Sequence, residues 1–519
     1  MYSNATTFRS KPISFEISNK FVTAFSGVVS FAHFIRKHPL VRSLTASVAL
    51  VTRRSYNPFN FYNDFDLAVQ SVLSVIHGFG APQDSRILKA DPGFKHALRD
   101  VASPATLSRW VHSFGDQCGS DLSEELLNRL PKHSKERIGS KEFDRLNCHL
   151  LDYALSGLSE DTQILIDADS TFLATYGTQQ QSAYCGKNRS NGYFPLLVFL
   201  NGLPVHIQNA PGATDGRRLL EGCLSDILQT VREKFPHAPI LVRADGGFNS
   251  EELISICDRH NTGFLSGFGG NSALENNLKS QLLHQVTEHG NEQLLHNISV
   301  KLINELLFDA PLLTAEPRSY LDRKGSVHRF IGQVQSYRAP SWTKSRNLYY
   351  RLEENLQYNE IDLRYVQTNM SAQEIRFWCE SDGVGKRAAL VKNCPDEKAT
   401  AALAIDLYDG LYCQRAQCEL AIKEFKAVLA DTSMSSESFF CNWFRLIIAA
   451  AAVHVLNDLR KKAFGRVHKQ CFKSIRTIRK QLLCIPAILE EKKNVLKVRL
   501  SPTYENYFAE FLQLIQVCE

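Results

Sequence analysis

Between residues 64 and 77 apolar side chains return at helical spacing (Phe65, Leu67, Val69, Val72, Leu73, Ile76), and Gly78, Gly80 and Pro82 then interrupt the pattern. One apolar face recurring every 3.6 residues or so predicts an amphipathic helix that stops at the glycines. It lies in a helical N-terminal region spanning 1–150. Within that region Ser103-Pro104-Ala105-Thr106-Leu107-Ser108-Arg109-Trp110 offers an N-cap serine, a proline at the first helical position and a polar side ending in Arg109. Such a segment is either an ordinary capped helix or the recognition helix of a helix-turn-helix.

From residue 163 the period shortens. Gln163–Asp169, Tyr193–Leu200 and Leu203–Gln208 read as strands, the last two joined by the turn pair Asn201-Gly202. Thr214–Lys234 reads as a helix, and Pro239–Ala244 as a buried strand closing on Asp245-Gly246-Gly247. A helix over 249–260 and a fifth strand, Gly263–Gly267, follow. This order predicts a mixed α/β sheet over 151–270. Alternating stretches such as Leu348–Leu352 and Ile361–Val366 suggest strands of a separate β-rich insertion, 271–395. Helices return from Thr400, first in a segment spanning 396–435 and then in a helical, basic C-terminal region, 436–519. The longest apolar run, Leu446–Val453, is too short to span a bilayer and reads as a buried helix, so no membrane partner is expected.

Charge changes this picture more than composition does. The net charge of +6 is unevenly spread: residues 1–60 hold eight Lys/Arg against the single acid Glu16, and 460–499 hold thirteen against Glu490 and Glu491. The rest of the chain has more acids than bases. Clustered positive charge suggests a phosphate backbone as partner, solvated helix faces being the bland alternative. The acid-poor start also has the composition of a transit peptide but lacks an amphipathic repeat before Phe21. Thirteen cysteines include no Cys-x-x-Cys pair and no Cys/His cluster at zinc spacing, which argues against a structural zinc and fits reduced thiols in a cytoplasm.

Three places carry candidate chemistry. Asp167 and Asp169 are two apart on one strand and so share a face; two acids beside Ile164, Leu165 and Ile166 are costly to bury unless a cation compensates them. Asp245 ends its strand, where carboxylates commonly face a site; a loop cap or a partner for Arg243 is the alternative. Tyr412, Arg415, Glu419 and Lys426 stand at spacings of three, four and seven, one polar row beside the apolar arc of Leu403, Leu407, Leu411, Ile422, Phe425 and Leu429. A surface ladder of ion pairs would have the same pattern.

The sequence Tyr-x2-Arg-x3-Glu-x6-Lys resembles the signature around the last acid of a large class of bacterial insertion-sequence DDE transposases. Asp-x-Asp-Ser-Thr at Asp167–Thr171, with Tyr176-Gly177 and Gln179 after it, and Val242-Arg243-Ala244-Asp245-Gly246-Gly247-Phe248 match the same family in the same order. Gly192-Tyr193, Pro195-Leu196, Asp84-Ser85-Arg86 and Asp91-Pro92 are similar to it as well. The likeness runs over most of residues 65–515 and is weakest in the insertion.

The resemblance implies a ribonuclease H-like core and a first, second and third catalytic and metal-holding acid at Asp169, Asp245 and Glu419, with Asp167 a further candidate ligand. It implies two Mg²⁺ ions, with Mn²⁺ as substitute, in a site of hard oxygen donors. Tyr412, Arg415 and Lys426 would contact DNA phosphates. The implied reaction is cleavage at transposon ends, a hairpin intermediate and strand transfer into target DNA. Terminal inverted repeats and target DNA would be the partners, a homodimer would hold two ends, and the setting would be the bacterial cytoplasm and its nucleoid. Two alternatives are a catalytically silent domesticated DNA-binding protein and a ribonuclease H-like nuclease without strand transfer.

Overall fold

The computed structural model describes residues 6–8, 11–13, 21–53, 61–98, 100–118, 140–270, 274, 320–321, 327–339, 342–355, 360–380, 403–429, 434–465, 474–492 and 495–518. Arg466, Lys469 and Lys473 of the basic C-terminal stretch, and most of the first twenty residues, lie outside them. So does Thr400, from which the helical return was expected.

Helices α1 (Val28–Lys37), α2 (Pro39–Thr52) and α3 (Asp64–His77) form the N-terminal bundle. The apolar face of α3 is buried, the Asn63 side chain accepts a hydrogen bond from the Asp66 amide, and Gly78 closes the helix in the left-handed conformation. α4 (Pro104–Cys118) starts at Ser103, whose hydroxyl accepts from the Thr106 amide at 3.2 Å. Its inner face, Leu107, Trp110, Val111 and Phe114, is core, and the Trp110 indole donates to the buried Asp64 at 2.9 Å. Burial of this face gives α4 a structural role; Arg109 points to solvent.

α5 (Lys141–Ser156) leads into the central sheet. Its strands β1 (Ile164–Ser170), β2 (Leu196–Leu200) and β3 (Leu203–Gln208) run antiparallel to one another in sequence. Asn201 and Gly202 both take positive φ, 47° and 83°, as the tight hairpin twist requires. The expected Thr214–Lys234 helix is broken at Gly222-Cys223 into Gly216–Glu221 and α6 (Leu224–Lys234). β4 (Ile240–Ala244), α7 (Glu251–Arg259) and β5 (Gly263–Phe268) complete the core, β1, β4 and β5 being parallel neighbours.

β6 (Val327–Tyr337), β7 (Arg346–Asn355) and β8 (Glu360–Thr368) do not form a separate layer. β8 pairs antiparallel with β5, Leu265 opposite Thr368 through Phe268 opposite Tyr365, so they extend one nine-stranded sheet. With the short strand Tyr320–Leu321 at its edge, the order continues β6-β7-β8-β5-β4-β1-β2-β3. α8 (Ala372–Glu380) then packs Ile375 and Trp378 onto this sheet.

The two faces differ. Ile164, Ile166, Ala168, Val242 and Ala244 pack against α5, α6 and α7. On the other face Leu241, Leu265 and Val366 meet Leu407, Tyr408 and Leu411, while Leu197, Phe199 and Ile207 join the core of the helical bundle. Each such side chain contributes about 1.5–3 kcal/mol when fully buried. Between these two apolar clusters runs β1, which presents Asp167 and Asp169 to this second face.

α9 (Ala416–Leu429) crosses that face, and α10 (Phe439–Phe464) passes through the middle of the helical bundle. By length and hydropathy α10 could cross a membrane; here its most apolar 18-residue stretch is wholly buried within the chain, while Lys461 and Lys462 in its last turn are exposed. The C-terminal region is not all helical: β9 (Ala487–Lys492) and β10 (Val495–Leu500) form a hairpin, and β9 pairs with Phe21–Thr23 near the opposite end of the chain. α11 (Phe508–Cys518) packs on α10 and α1.

Candidate active site

Strand register builds the site. β1 and β4 are parallel with Arg243 opposite Asp167 and Ala244 opposite Ala168, so the next pair along brings Asp245 beside Asp169 at the carboxyl ends of adjacent strands. Gly246 and Gly247 let the chain turn there, and the Asp245 Oδ1 caps that turn by accepting from the Gly247 amide at 2.8 Å.

Asp167 and Asp169 share a face but not a fate. Arg243 donates to both oxygens of Asp167, Nε to Oδ1 at 2.8 Å and Nη2 to Oδ2 at 3.0 Å, and its Nη1 reaches the Leu411 carbonyl at 3.0 Å. The pair is almost fully buried. Both Asp167 oxygens are thereby engaged by a guanidinium, which sets it apart from the ligand role expected of it, and Arg243 pairs with Asp167 rather than with Asp245. Asp169, one residue pair nearer the strand end, keeps a partly accessible carboxylate, its side chain 15% exposed, and takes Arg415 Nη1 on Oδ2 at 2.9 Å.

The helix bearing the third acid is not a single regular one. A π turn, Asp406–Tyr412, passes through a 3₁₀ turn, Cys413–Arg415, into α9. Arg351 of β7 holds the wide turn, lying over the Tyr408 ring, donating to Cys413 Sγ at 3.2 Å and approaching Asp409 at 3.8 Å. Turns of this kind depart from α-helical spacing and are often found at functional sites. Here the change carries Tyr412 over β5 and Arg415 inward to Asp169. A Cβ on Gly267 would come within 2.6 Å of the Tyr412 hydroxyl, so β5 admits the tyrosine only because that position is glycine.

Lys426 lies at the other end of the row, its Nζ donating to the Phe172 carbonyl at 3.4 Å. Burial lowers its pKa and the Asp169 carboxylate opposes that. Tyr412, Arg415 and Lys426 therefore surround the strand-end acids. Glu419 stands at the rim, more than half exposed, with Arg415 Nη2 3.8 Å from its Oε1. Among the described residues the three acids do not form a closed set of donors within 4.8 Å of one another. Arg415 is the group shared by Asp169 and Glu419.

The electrostatics explain this spacing. Burial raises the Asp169 pKa, Arg415 pulls it down, and the neighbouring Asp245 raises it again. Like charges at the strand ends hold a carboxylate protonated or demand a cation. Arg415 is a resident stand-in for that cation. The donors, carboxylate oxygens from two strands and one helix, are hard and fit Mg²⁺ or Mn²⁺. Burial also raises the Tyr412 pKa, with Asp245 adding to the effect, so this hydroxyl stays protonated and able to donate.

Sequence reasoning missed two supports. Arg479, one of the basic C-terminal residues, is structural: it donates from Nε to Ile76 O at 2.9 Å and from Nη2 to Val75 O and Ala427 O at 2.9 and 3.0 Å, tying the ends of α3 and α9 together. Gly216 lies so close to β1 that a Cβ there would meet Ser170 Oγ at 2.4 Å. A basic residue near helix ends is the only signal the sequence offers for the first, and the second has none.

A sheet with acids at adjacent strand ends, crossed by a helix that brings a third acid and two bases, is the kind of chain that comparison identifies as a DDE transposase. The chain belongs to the family described as transposase DDE domain group 1, whose profile matches residues 5–518. Among solved structures it is similar to a chain of the cryo-EM structure of piggyBac transposase synaptic complex with hairpin DNA, at 10% identity and a TM-score of 0.37, over 89% of this chain and 82% of that one. No curated protein sequence matches it.

Proposed function

We propose that this chain is the DNA transposase of a bacterial insertion sequence, acting by cut-and-paste on a ribonuclease H-like core, with Asp169, Asp245 and Glu419 as its catalytic acids. The observation that carries the reading is the strand register that sets Asp245 beside Asp169, with Arg415 joining Asp169 to the helix of Glu419.

DDE transposases use divalent metal ions; two Mg²⁺ ions, or Mn²⁺ in their place, would be held by Asp169, Asp245 and Glu419. When bound, they supply charge neutralisation and a deprotonated oxygen for in-line attack on phosphorus. The chain's own groups do the rest. Arg415 would leave Asp169 for a phosphate oxygen of the DNA, a planar cation well suited to that partner. Lys426, already half-buried beside Phe172, would neutralise the next phosphate, and the protonated Tyr412 would donate a hydrogen bond to the strand being cut. Cleavage at the terminal inverted repeats, hairpin formation and joining to target DNA would reuse this one site. Two copies would hold the two ends, and the work would take place on the nucleoid in the cytoplasm.

The test is Mg²⁺-dependent cleavage of a labelled duplex carrying the DNA that flanks the gene, comparing wild type with Glu419→Gln at matched binding. End-specific nicks or hairpins that disappear in the variant support the reading. Binding without cleavage by the wild type overturns it in favour of a DNA-binding protein that keeps only the fold. Nicking that persists unchanged in Glu419→Gln removes Glu419 from the site.

A further inference from the structure

A second set of donors lies about a bundle helix, away from the strand-end acids. His112 and Asp116 are four apart on α4 and so lie on one face, with Nδ1 and Oδ1 3.6 Å apart. Cys441, in the first turn of α10, completes the group: the imidazole nitrogen, the carboxylate oxygen and the thiol sulfur all fall within 4.8 Å of one another. Among the described residues this is the one trio of His, Cys, Asp or Glu donors that does so.

The two helices are built to meet there. A Cβ on Gly115 would come within 2.7 Å of Cys441 Sγ and 2.9 Å of the Cys441 amide nitrogen, so glycine is what allows α10 to approach α4. The Cys441 amide donates to the capping Ser438 hydroxyl at 3.4 Å, which places the sulfur in the first turn of α10. The sulfur also makes a weak hydrogen bond to the Val111 carbonyl at 3.7 Å, with the Ser436 and Ser438 hydroxyls beside it. Cys441 is buried, His112 partly exposed and Asp116 exposed, so the group has one inner donor and two outer donors that reach solvent.

We propose that His112, Asp116 and Cys441 form a zinc-class metal site that clamps α4 to α10. Tetrahedral zinc takes sulfur at about 2.3 Å and nitrogen or oxygen at about 2.0–2.2 Å, which separates its ligand atoms by about 3.3–3.7 Å. The His112–Asp116 spacing already matches, and a small rotation of the two outer side chains brings both to the sulfur. Without metal, burial pushes the Cys441 thiol up to about 11, so binding must release its proton to solvent as the metal–sulfur bond forms. The donor set is soft and mixed, unlike the all-carboxylate set at the strand ends, and selects a different metal: Zn²⁺ or Co²⁺ rather than Mg²⁺. The clamp fastens the N-terminal bundle to the helix through its centre and holds whether or not the strand-end acids cut DNA.

Titration of the full chain with Co²⁺ in excess Mg²⁺ separates a thiolate site from the carboxylates at the strand ends, because only a thiolate ligand gives the near-ultraviolet sulfur-to-cobalt charge-transfer band, and comparison with Cys441→Ser assigns the band to this one of the chain's thirteen cysteines. The expected result is one equivalent of band-forming Co²⁺, displaced by Zn²⁺ and absent in Cys441→Ser. His112→Ala, at a partly exposed position, should weaken Co²⁺ by more than the roughly 10–100-fold that loss of an outer-shell contact alone costs. No band in the wild type, or a band that survives His112→Ala at undiminished affinity, overturns the proposal. Should Cys441→Ser not fold, His112→Ala and Asp116→Asn decide it.

Discussion

Arg243 and Asp167 face each other across paired strands and close on each other through two hydrogen bonds, 2.8 and 3.0 Å, with almost no solvent contact. One residue pair further along, the register carries Asp245 beside Asp169; neither strand supplies a base there, and Asp169 is met instead by Arg415 at 2.9 Å. The same face of the same sheet thus carries a neutralised pair and a like-charged pair in succession. The first is closed to further partners, and the second is where a cation would be favoured.

Substitutions should separate the two roles. Asp167→Ala leaves a buried guanidinium without its counter-charge and is expected to lose about 3–5 kcal/mol of stability. Asp169→Asn relieves repulsion from Asp245 while weakening the bond to Arg415, so its stability should change by only about 1 kcal/mol, with DNA cleavage lost. Urea denaturation of both variants, monitored alongside cleavage, checks this; equal stability losses would mean that the two acids are not divided in this way.

Stability should also depend on pH through the π turn. Burial raises the Asp406 pKa from 3.8 to about 6, Arg376 opposing and Glu380 reinforcing the shift. A carboxyl whose folded pKa lies above its unfolded value contributes stability that is complete below the unfolded pKa and is lost as pH rises through the folded one. Asp406→Asn should therefore stabilise the protein relative to wild type at pH 7 and not at pH 4. Denaturation midpoints of the pair at those two pH values test it, and a gain that is the same at both would refute the assignment.

Gly267→Ala probes the seat of Tyr412. Its methyl group would lie 2.6 Å from the tyrosine hydroxyl and 2.8 Å from the Gly246 amide nitrogen, so either the ring or the turn after Asp245 must shift. A displacement near 1 Å at a reacting centre costs on the order of 100-fold in rate. Cleavage should fall by about that factor while far-ultraviolet circular dichroism stays native. An unimpaired Gly267→Ala would show that Tyr412 is not held in a working position there.

Local pattern alone determined a good deal of this protein. The helix at Asp64–His77, the Asn201-Gly202 hairpin, and the strands ending at Asp169 and Asp245 were legible because each depends on neighbours a few residues away: period, cap, or a turn that needs positive φ. The acids and the Tyr412, Arg415, Glu419, Lys426 row stood out for the same reason, as residue types at fixed spacing. Tertiary structure decided which acid is paired. Asp167 and Asp169 are two residues apart on one strand face, and only the register that sets Arg243 opposite one of them, 76 residues away, gives the first a fully buried partner and leaves the second at the strand end with Arg415. The same holds for the strands of the insertion, which join β5 edge to edge, for the hairpin at 487–500 that pairs with Phe21–Thr23, and for the meeting of Cys441 with His112 and Asp116. Alternation shows that a strand has two faces but not what lies beside it; pairing partners, and the charges they bring, come from distant chain that only the packed fold brings near.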